Sequence, residues 1–265
     1  MTDSTILIGA IIVVLLLAAA ALVQSLWWGF GTVSGKRIST RREMCEAILA
    51  DLWSGETHRR FASLIALQKM NTAEREGSAI ASALIAYIRQ RLSGSGRDDA
   101  AGYEDVRLAV SLLSRRRIAL LRPQMAIDLT GINFSATPLF GSDFSRFRLI
   151  NCDFSGCLAM RAAFRTCDLT GTSFVGADLR GADFTGADLS DANFTNANLS
   201  GARLTRASMV STNISGAVLV GTIGLSQDQL DSAIGDSGTA VPEQFRFVPM
   251  KSRRGTAKLR SVSSE

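Results

Sequence analysis

Six aspartates in the second half of this chain are the side chains with the clearest capacity for chemistry. They are Asp143, Asp153, Asp168, Asp178, Asp183 and Asp188. Paired carboxylates can share a proton in acid–base catalysis or hold a divalent metal ion. Successive members are separated by multiples of five residues, so all occupy one position of a repeat, and none has a second group placed to share a proton or a metal ion. The pattern indicates surface and turn residues, and with no P-loop, GxSxG or HExxH motif we expect no enzyme and no small-molecule substrate.

The sulfur and imidazole side chains give no site either. The chain contains Cys45, Cys152, Cys157 and Cys167 without CxxC spacing, and His58 is its single histidine. We therefore expect neither a zinc site nor a disulfide framework, and no cofactor. Three of the cysteines fall on one repeat position where Ala and Thr also occur, which predicts small buried groups.

Basic side chains suggest two candidate contact regions. Lys36, Arg37, Arg41 and Arg42 follow a long apolar run, and we expect them to meet lipid head groups. Arg115, Arg116, Arg117 and Arg122 form a second cluster. They are candidate partner contacts, although a solvated helix end that complements the helix dipole explains them as well.

Charge is unevenly placed along the 265 residues, whose formal net charge is +5. Residues 36–122 contain 16 basic and 10 acidic side chains, whereas residues 123–221 contain 7 and 8. A nucleic-acid footprint would normally cover a whole domain face, so the basic excess beside the apolar N-terminus favours anionic lipid. We expect no nucleic-acid partner.

An uncharged apolar run from Ile6 to Val23 predicts a transmembrane anchor. A helix from Ile6 to Trp28 would extend roughly 35 Å at about 1.5 Å per residue, enough for a hydrocarbon core of about 30 Å. A cleaved signal peptide would open with positive charge. Here the basic residues follow the run, so the positive-inside rule predicts a single-pass protein of the bacterial inner membrane, N-out, with its C-terminal domains in the cytoplasm. Ala21, Ser25 and Gly29 form a small-residue stripe that could pack on another membrane helix.

Helical periodicity extends over residues 39–121. It predicts helices at Arg41–Trp53, His58–Met70, Ala73–Leu92 and Tyr103–Leu121, separated by Ser54-Gly55 and by the loop composition of residues 93–102. Four short helices suggest a small bundle or a helical-repeat pair between the membrane anchor and the second half of the chain.

A strict five-residue repeat covers Ile127–Gly221 in nineteen units. A large apolar residue stands at the centre of nearly every unit, and a small residue stands two positions earlier. A period of five fits neither the α-helix nor the flat strand, so the backbone must turn once per unit to keep the centres facing one interior. The predicted core includes Leu169, Phe174, Leu179, Phe184, Leu189, Phe194, Leu199 and Leu204.

The units GADLR, GADFT and GADLS resemble the pentapeptide-repeat family, whose consensus is A(D/N)LXX. The resemblance implies a right-handed quadrilateral β-helix with four units per turn, here preceded by a transmembrane helix and a small all-α block. The helical segment is similar to that of membrane-anchored bacterial members. Units between Pro138 and Arg165 depart from the consensus, and Ala159 replaces a large centre, so we expect a bulge or altered coil there.

The predicted organisation has five parts. These are an anchor (1–35), a helical juxtamembrane block (36–122), the β-helix (123–221), a capping helix with an extended segment (222–250), and a disordered basic tail (251–265). The cap rests on Ser226 as N-cap, Gln229 three residues later, and Gly235 as a stop.

The expected function is a non-catalytic, membrane-tethered interaction or scaffold protein that presents a rigid rod to an unknown cytoplasmic protein. An accessory subunit of an integral-membrane complex is the first alternative. Soluble relatives in the family protect DNA gyrase by mimicking DNA, which gives a second alternative. The near-neutral charge of the repeat and the anchor argue against that mimicry.

Overall fold

The computed structural model describes residues 41–70, 74–93, 103–114 and 127–245. Within these ranges, four helices precede the repeat: α1 (Arg41–Asp51), α2 (Thr57–Lys69), α3 (Glu74–Ser93) and α4 (Glu104–Ser114). They lie where the apolar periodicity predicts helices. The predicted continuation of the fourth helix to Leu121 falls outside the described residues.

The turn between α1 and α2 is closed by one arginine. Arg60 donates to the carbonyl oxygens of Ser54 and Gly55 at 3.1 and 3.0 Å, and to Thr57 Oγ1 at 3.0 Å. Leu52 and Leu64 are fully buried. The Trp53 ring meets the Tyr87 ring edge to face with centroids 6.2 Å apart. Because Gly55 and Ser54 cannot continue the helix, the arginine replaces the backbone donors that the break leaves out.

None of the helices in the described ranges is long and apolar enough to cross a membrane. The predicted span Ile6–Val23, the stripe Ala21, Ser25 and Gly29, and the predicted head-group contacts Lys36 and Arg37 lie outside those ranges.

The chain divides into two compact units. Met1–Ile88 with Arg115–Arg122 form the first, and Arg89–Ser114 with Pro123–Glu265 form the second. The end of α3 and all of α4 therefore belong with the repeat. The predicted boundary at residue 122 stays a prediction.

The repeat forms a quadrilateral parallel β-helix. Parallel bridges join residues twenty apart without interruption, from Asp128 with Arg148 to Arg203 with Ile223. Twenty residues are four units, so each coil has four sides. Coil 1 spans 127–146, coil 2 spans 147–166, coil 3 spans 167–186, coil 4 spans 187–206, and coil 5 begins at 207. The centre N–H of every unit except the one centred on Met209 donates to the next coil, as from Leu169 to the Asp188 oxygen at 2.8 Å.

Each corner of the coil is a β-turn that ends in a left-handed residue. The small residue of the next unit donates back across the corner, as from Ala177 to the Phe174 oxygen at 3.0 Å. All nineteen units end in a residue with positive φ. This third-position conformation is that of a type II turn, which favours Gly and Asn. The units that lack them place other side chains there, including Arg146, Arg161, Thr166, Asp191 and Arg206.

Alternating Leu and Phe centres sort onto alternate sides of the coil. Faces 1 and 3 are the columns centred on Leu129 and Leu139, and faces 2 and 4 are the columns centred on Phe134 and Phe144. Because Phe recurs every ten residues, it fills faces 2 and 4. Rings stack within each of these columns at centroid distances of 4.7 to 5.2 Å. Rings of opposite columns meet edge to face, as Phe164 and Phe174 do at 5.7 Å. The predicted core residues Leu169 to Leu204 are all buried.

The expected bulge between Pro138 and Arg165 is wrong. The ladder runs from Pro138 to Leu158 to Asp178 with its twenty-residue spacing intact, and Ala159 is fully buried. Leu158 and Met160 point outward, so they require no change of register. Pro138 is tolerated because coil 1 has no earlier repeat coil to which its missing N–H would donate.

Arg89, in the last turns of α3, caps face 1 of coil 1. It donates from Nη1 to the Thr130 oxygen at 3.2 Å and from Nη2 to the Asp128 oxygen at 3.4 Å. In coil 2 the equivalent oxygens, those of Arg148 and Ile150, accept backbone N–H groups of the preceding coil. The Arg89 guanidinium therefore supplies the two hydrogen bonds that backbone N–H groups of a preceding coil supply elsewhere in the repeat.

A short helix, α5 (Gln227–Ser232), closes the other end. Ser226 and Gln229 form the predicted capping box. Gln229 Nε2 also donates to the Leu204 and Ala207 oxygens, both at 2.8 Å. The helix ends before the predicted stop at Gly235, because Ile234 pairs as a strand residue with Asn213. Ala240 pairs with Val218 in the same way, so the cap is a partial sixth coil.

Candidate interaction surface

The aspartates and asparagines before each centre serve the turns of the β-helix. Their Oδ1 atoms accept the backbone N–H two residues later, as Asp188 does from Ser190 at 3.0 Å. The Ser190 hydroxyl donates to the same oxygen at 2.6 Å. This arrangement is an Asx turn, which explains why the position prefers Asp or Asn. The predicted turn role of these carboxylates is confirmed for the units where these bonds form.

Three of these carboxylates, Asp128, Asp178 and Asp183, have a pKa below the usual value. The Arg180 side chain, which donates to Asp178 Oδ2 at 2.7 Å, keeps the pKa of Asp178 below its usual value. The side-chain hydrogen bond from Thr130 lowers the pKa of Asp128. A general acid at neutral pH needs a raised pKa instead. Within the described residues no group of three metal-binding side chains occurs.

The three repeat cysteines are buried thiols, as predicted. Cys152 and Cys167 donate to the Leu129 and Phe144 oxygens at 3.1 and 2.8 Å. Burial raises the pKa of Cys152 to about 11 and those of Cys157 and Cys167 to about 12. Because the thiolate is the reactive form, these groups are inert at neutral pH. Threonine fills the same role elsewhere, since Thr172 donates to the Leu149 oxygen at 2.7 Å.

Charge is sorted between two adjacent faces of the rod. The units of face 1 contain four aspartates and one arginine: Asp128, Asp168, Asp188, Asp191 and Arg148. The units of face 4 contain four arginines and two aspartates: Arg146, Arg165, Arg203, Arg206, Asp143 and Asp183. Arg161 lies at the corner where face 3 turns into face 4. A nearly neutral repeat therefore has one acidic and one basic side.

Most of the basic side chains lack an ion-pair partner among the described residues. Arg165 Nε pairs with Asp183 Oδ2 at 2.6 Å. No described carboxylate lies within salt-bridge distance of what we call the arginine set, which is Arg146, Arg161, Arg203 and Arg206. All four are exposed. They are therefore available to an external anion.

Face 3 presents an apolar group in coils 1 and 2, made of Pro138, Phe140, Leu158 and Met160. Phe140 is 40% exposed and Leu158 is 42% exposed. In coils 3 and 4 the same columns hold Asp178, Arg180, Asn198 and Ser200. In coil 5 they hold Val218 and Val220, and Val220 is 53% exposed, so the apolar side chains lie at the two ends of the face.

The sequence-derived candidate contacts lie elsewhere. Arg41 and Arg42 begin α1. The cluster Arg115, Arg116, Arg117 and Arg122 lies outside the described residues. The arginine set is missed by sequence analysis because the net charge of the whole repeat is close to zero. Rows of twenty residues, which match the length of one coil, show which charges share a face.

Two family models match the repeat. A model described as a pentapeptide repeat region matches residues 127–204, and a model of eight pentapeptide repeats matches residues 187–223. No curated protein matches the chain significantly.

Several solved structures are similar to this chain. A pentapeptide repeat protein from the Arabidopsis thaliana thylakoid lumen is 39% identical, with coverage of 41% of this chain and 77% of its own and a TM-score of 0.39. HetL, a pentapeptide repeat protein involved in heterocyst differentiation regulation in the cyanobacterium Nostoc sp. strain PCC 7120, is 27% identical, with coverages of 42% and 67% and a TM-score of 0.34. Rfr23 from the cyanobacterium Cyanothece 51142 is 28% identical, with coverages of 45% and 67% and a TM-score of 0.23.

The family models span the same units that the parallel bridges join into four-sided coils, and members of this family fold as right-handed quadrilateral β-helices. This chain belongs to the pentapeptide-repeat family.

Proposed function

We propose that this protein is a non-catalytic interaction protein that presents the rigid faces of its β-helix to a protein partner. The supporting observation is that the side chains that could take part in catalysis or metal binding already have structural roles in the fold. The Asx turns use carboxylates, the core encloses the thiols, and the ladders use the backbone donors and acceptors. The groups that stay exposed form a set of flat faces that differ in charge and polarity, and differences of that kind select partners.

Membrane tethering through Ile6–Val23 is a further part of the proposal, and it rests on the sequence alone. In this arrangement the protein is N-out and its β-helix faces the cytoplasm. The finer alternatives are a scaffold with a soluble partner and an accessory subunit recruited through Ala21, Ser25 and Gly29.

A DNA mimic is less well supported by the charge of the rod. Duplex DNA has one phosphate charge per about 1.7 Å, so five coils spaced about 4.8 Å apart would match roughly 14 charges. Face 1 has four aspartates, and Arg148 interrupts them. This field is too weak to imitate a duplex.

Affinity purification of the full chain from detergent-solubilised membranes tests the function. A stoichiometric soluble partner supports the scaffold, and a stoichiometric integral-membrane partner supports the accessory subunit. Recovery of a topoisomerase would instead support the mimic. A chain that lacks residues 1–35 and leaves the membrane fraction would support the anchor. A tag at Glu265 that is accessible only from outside the cell would contradict the proposed orientation.

A further inference from the structure

The basic side of the β-helix is built from three of its coils. Arg146 belongs to coil 1, Arg161 to coil 2, and Arg203 and Arg206 to coil 4. Arg146 and Arg206 end face 4 units at the same corner, sixty residues and therefore three coil spacings apart. At about 4.8 Å per coil, the arginine set spans roughly 14 Å along the rod. A single extended or helical segment of a partner can reach all of it.

Guanidinium groups on a rigid backbone are well suited to carboxylates. The planar group donates two parallel hydrogen bonds to one carboxylate, and arginine is enriched in protein interfaces. The corner residues Arg146, Arg161 and Arg206 all have positive φ, at 68°, 57° and 58°. The left-handed conformation costs an arginine about 1–2 kcal/mol, whereas glycine adopts it freely. These three corners thus hold arginine where glycine would fit the turn better.

A polyphosphate partner is less consistent with this surface. Asp143 and Asp183 interrupt face 4, and Asp183 already neutralises Arg165. A nucleic-acid backbone binds best to an uninterrupted positive field. The acidic face 1 adjoins face 4 at the corner of Arg146 and Arg206, so a wrapped polyanion would meet repulsion.

The apolar group of face 3 adds a second kind of contact beside the same surface. Met160 directly precedes the corner residue Arg161, and Leu158 lies on the same unit. Exposed apolar side chains next to unpaired arginines match a protein interface, in which an apolar centre is combined with charged pairs.

We propose that face 4, together with the arginine set and the apolar group of face 3, docks an acidic amphipathic segment of a partner protein. The carboxylates of that segment pair with the arginines, and its apolar side chains cover Phe140 and Leu158. This proposal rests on the proposed interaction function and names the face and the chemistry of the partner.

Site-specific photocrosslinking in living cells that express the full chain tests it. A benzoylphenylalanine replaces Thr205 on face 4 or, as the matched position, Thr195 on face 2. Both are fourth residues of their units. We expect a protein adduct from position 205 and not from position 195, with the crosslinked partner peptide rich in Asp and Glu.

Charge reversal separates this surface from general electrostatics. In the Arg203→Glu/Arg206→Glu variant the adduct should fall by roughly tenfold or more. The Arg107→Glu/Arg148→Glu variant makes the same change in net charge on α4 and face 1, outside the proposed docking surface, and should retain the adduct. Circular dichroism of both purified variants checks that the β-helix still folds.

Several outcomes overturn the proposal. An adduct from position 195 alone means that another face binds, and the interaction function survives. If the yield of the adduct at position 205 is the same in both charge-reversal variants, the partner does not bind through carboxylate–arginine pairs. A crosslink to a second copy of this chain replaces the acidic partner with self-association. Binding of duplex DNA or phosphatidylglycerol vesicles that only Arg203→Glu/Arg206→Glu abolishes assigns face 4 to phosphate. Absence of any protein adduct at either position contradicts the interaction function as well.

Discussion

Individual residues in this β-helix are constrained mainly by the left-handed corner. A side chain at the fifth position of a unit adopts positive φ, and its neighbour is the equivalent corner one coil away. Gly156 has φ of 64° with no atom within 4 Å of an added Cβ. Gly224, which follows the last repeat unit and is not a corner residue, also has positive φ, at 73°. An added Cβ there would lie 2.0 Å from Thr205 Oγ1 and 2.9 Å from Thr205 Cα. The two glycines have similar φ values but differ in the space available to an added Cβ.

Alanine at these two positions should therefore separate conformational cost from steric cost. Gly156→Ala should cost about 1 kcal/mol, because the left-handed penalty is partly offset by a less flexible unfolded chain. Gly224→Ala should cost about 1–3 kcal/mol more, because backbone must move to admit the methyl group. Thermal unfolding of the full chain, followed by circular dichroism, measures both. Equal losses for the two variants would show that the Thr205 contact relaxes freely.

The buried thiols have a pH dependence of known sign. The unfolded thiols ionise near the ordinary pKa of 9.0, whereas burial keeps Cys157 and Cys167 neutral up to about pH 12. Their contribution to stability is complete below pH 9 and is lost between pH 9 and pH 12, because the unfolded state ionises first.

At the scale of the element, the parallel ladder decides where proline can stand. Leu158 lies one coil beyond Pro138 on face 3, and its N–H donates to the Thr137 oxygen at 3.1 Å. The same position in coil 1 has no preceding repeat coil as acceptor. One column thus contains a position where proline is native and a position where it breaks a ladder bond.

Exchanging the two residues one at a time tests this account. Leu158→Pro should cost about 2–3 kcal/mol, because it removes the donor to Thr137. Pro138→Leu should change stability by less than about 1 kcal/mol, since it mainly alters the entropy of the unfolded chain. Chemical denaturation monitored by circular dichroism gives both values. A large loss from Pro138→Leu would mean that the ring itself packs against the fold.

The elements also show which sequence signals are sufficient by themselves. Helices α1 to α4 follow from apolar periodicity and from Ser54-Gly55, and the start of α5 follows from Ser226 and Gln229. The end of α5 does not, because Ile234 leaves the helix to pair with Asn213, a long-range contact that local signals do not record. The expected bulge fails for a similar reason, since the sequence shows that Leu158 and Met160 are unusual but does not show that they point outward.

Across the whole molecule, a solenoid is stabilised mainly by contacts between neighbouring coils, so its ends are its weakest parts. Both ends are closed by specific groups. Gln229 donates to carbonyl oxygens at the C-terminal end, and Arg89 does so at face 1 of coil 1. Arg89 lies in α3, so it also ties the end of that helix to the repeat within one compact unit.

Replacing Arg89 should therefore loosen coil 1 and leave the middle coils unchanged. In Arg89→Met we expect amide hydrogen exchange of Arg148 and Leu129 to accelerate roughly five- to tenfold, the equivalent of about 1 kcal/mol. Exchange of Leu189, three coils from the cap, should stay the same. Arg107→Met, which removes an exposed arginine from α4, is the control. Uniform acceleration along the repeat would show that Arg89 supports the whole fold.

The sequence alone determined the repeat, its buried centres, the buried thiols and the cap that starts at Ser226, because each depends on a local period or a short motif. The twenty-residue register decided the rest. Net charge is a sum over the chain, whereas a partner meets only the charges that share a face. Folding the repeat into four-sided coils placed four aspartates on face 1 and four arginines on face 4 of a rod whose total charge is close to zero.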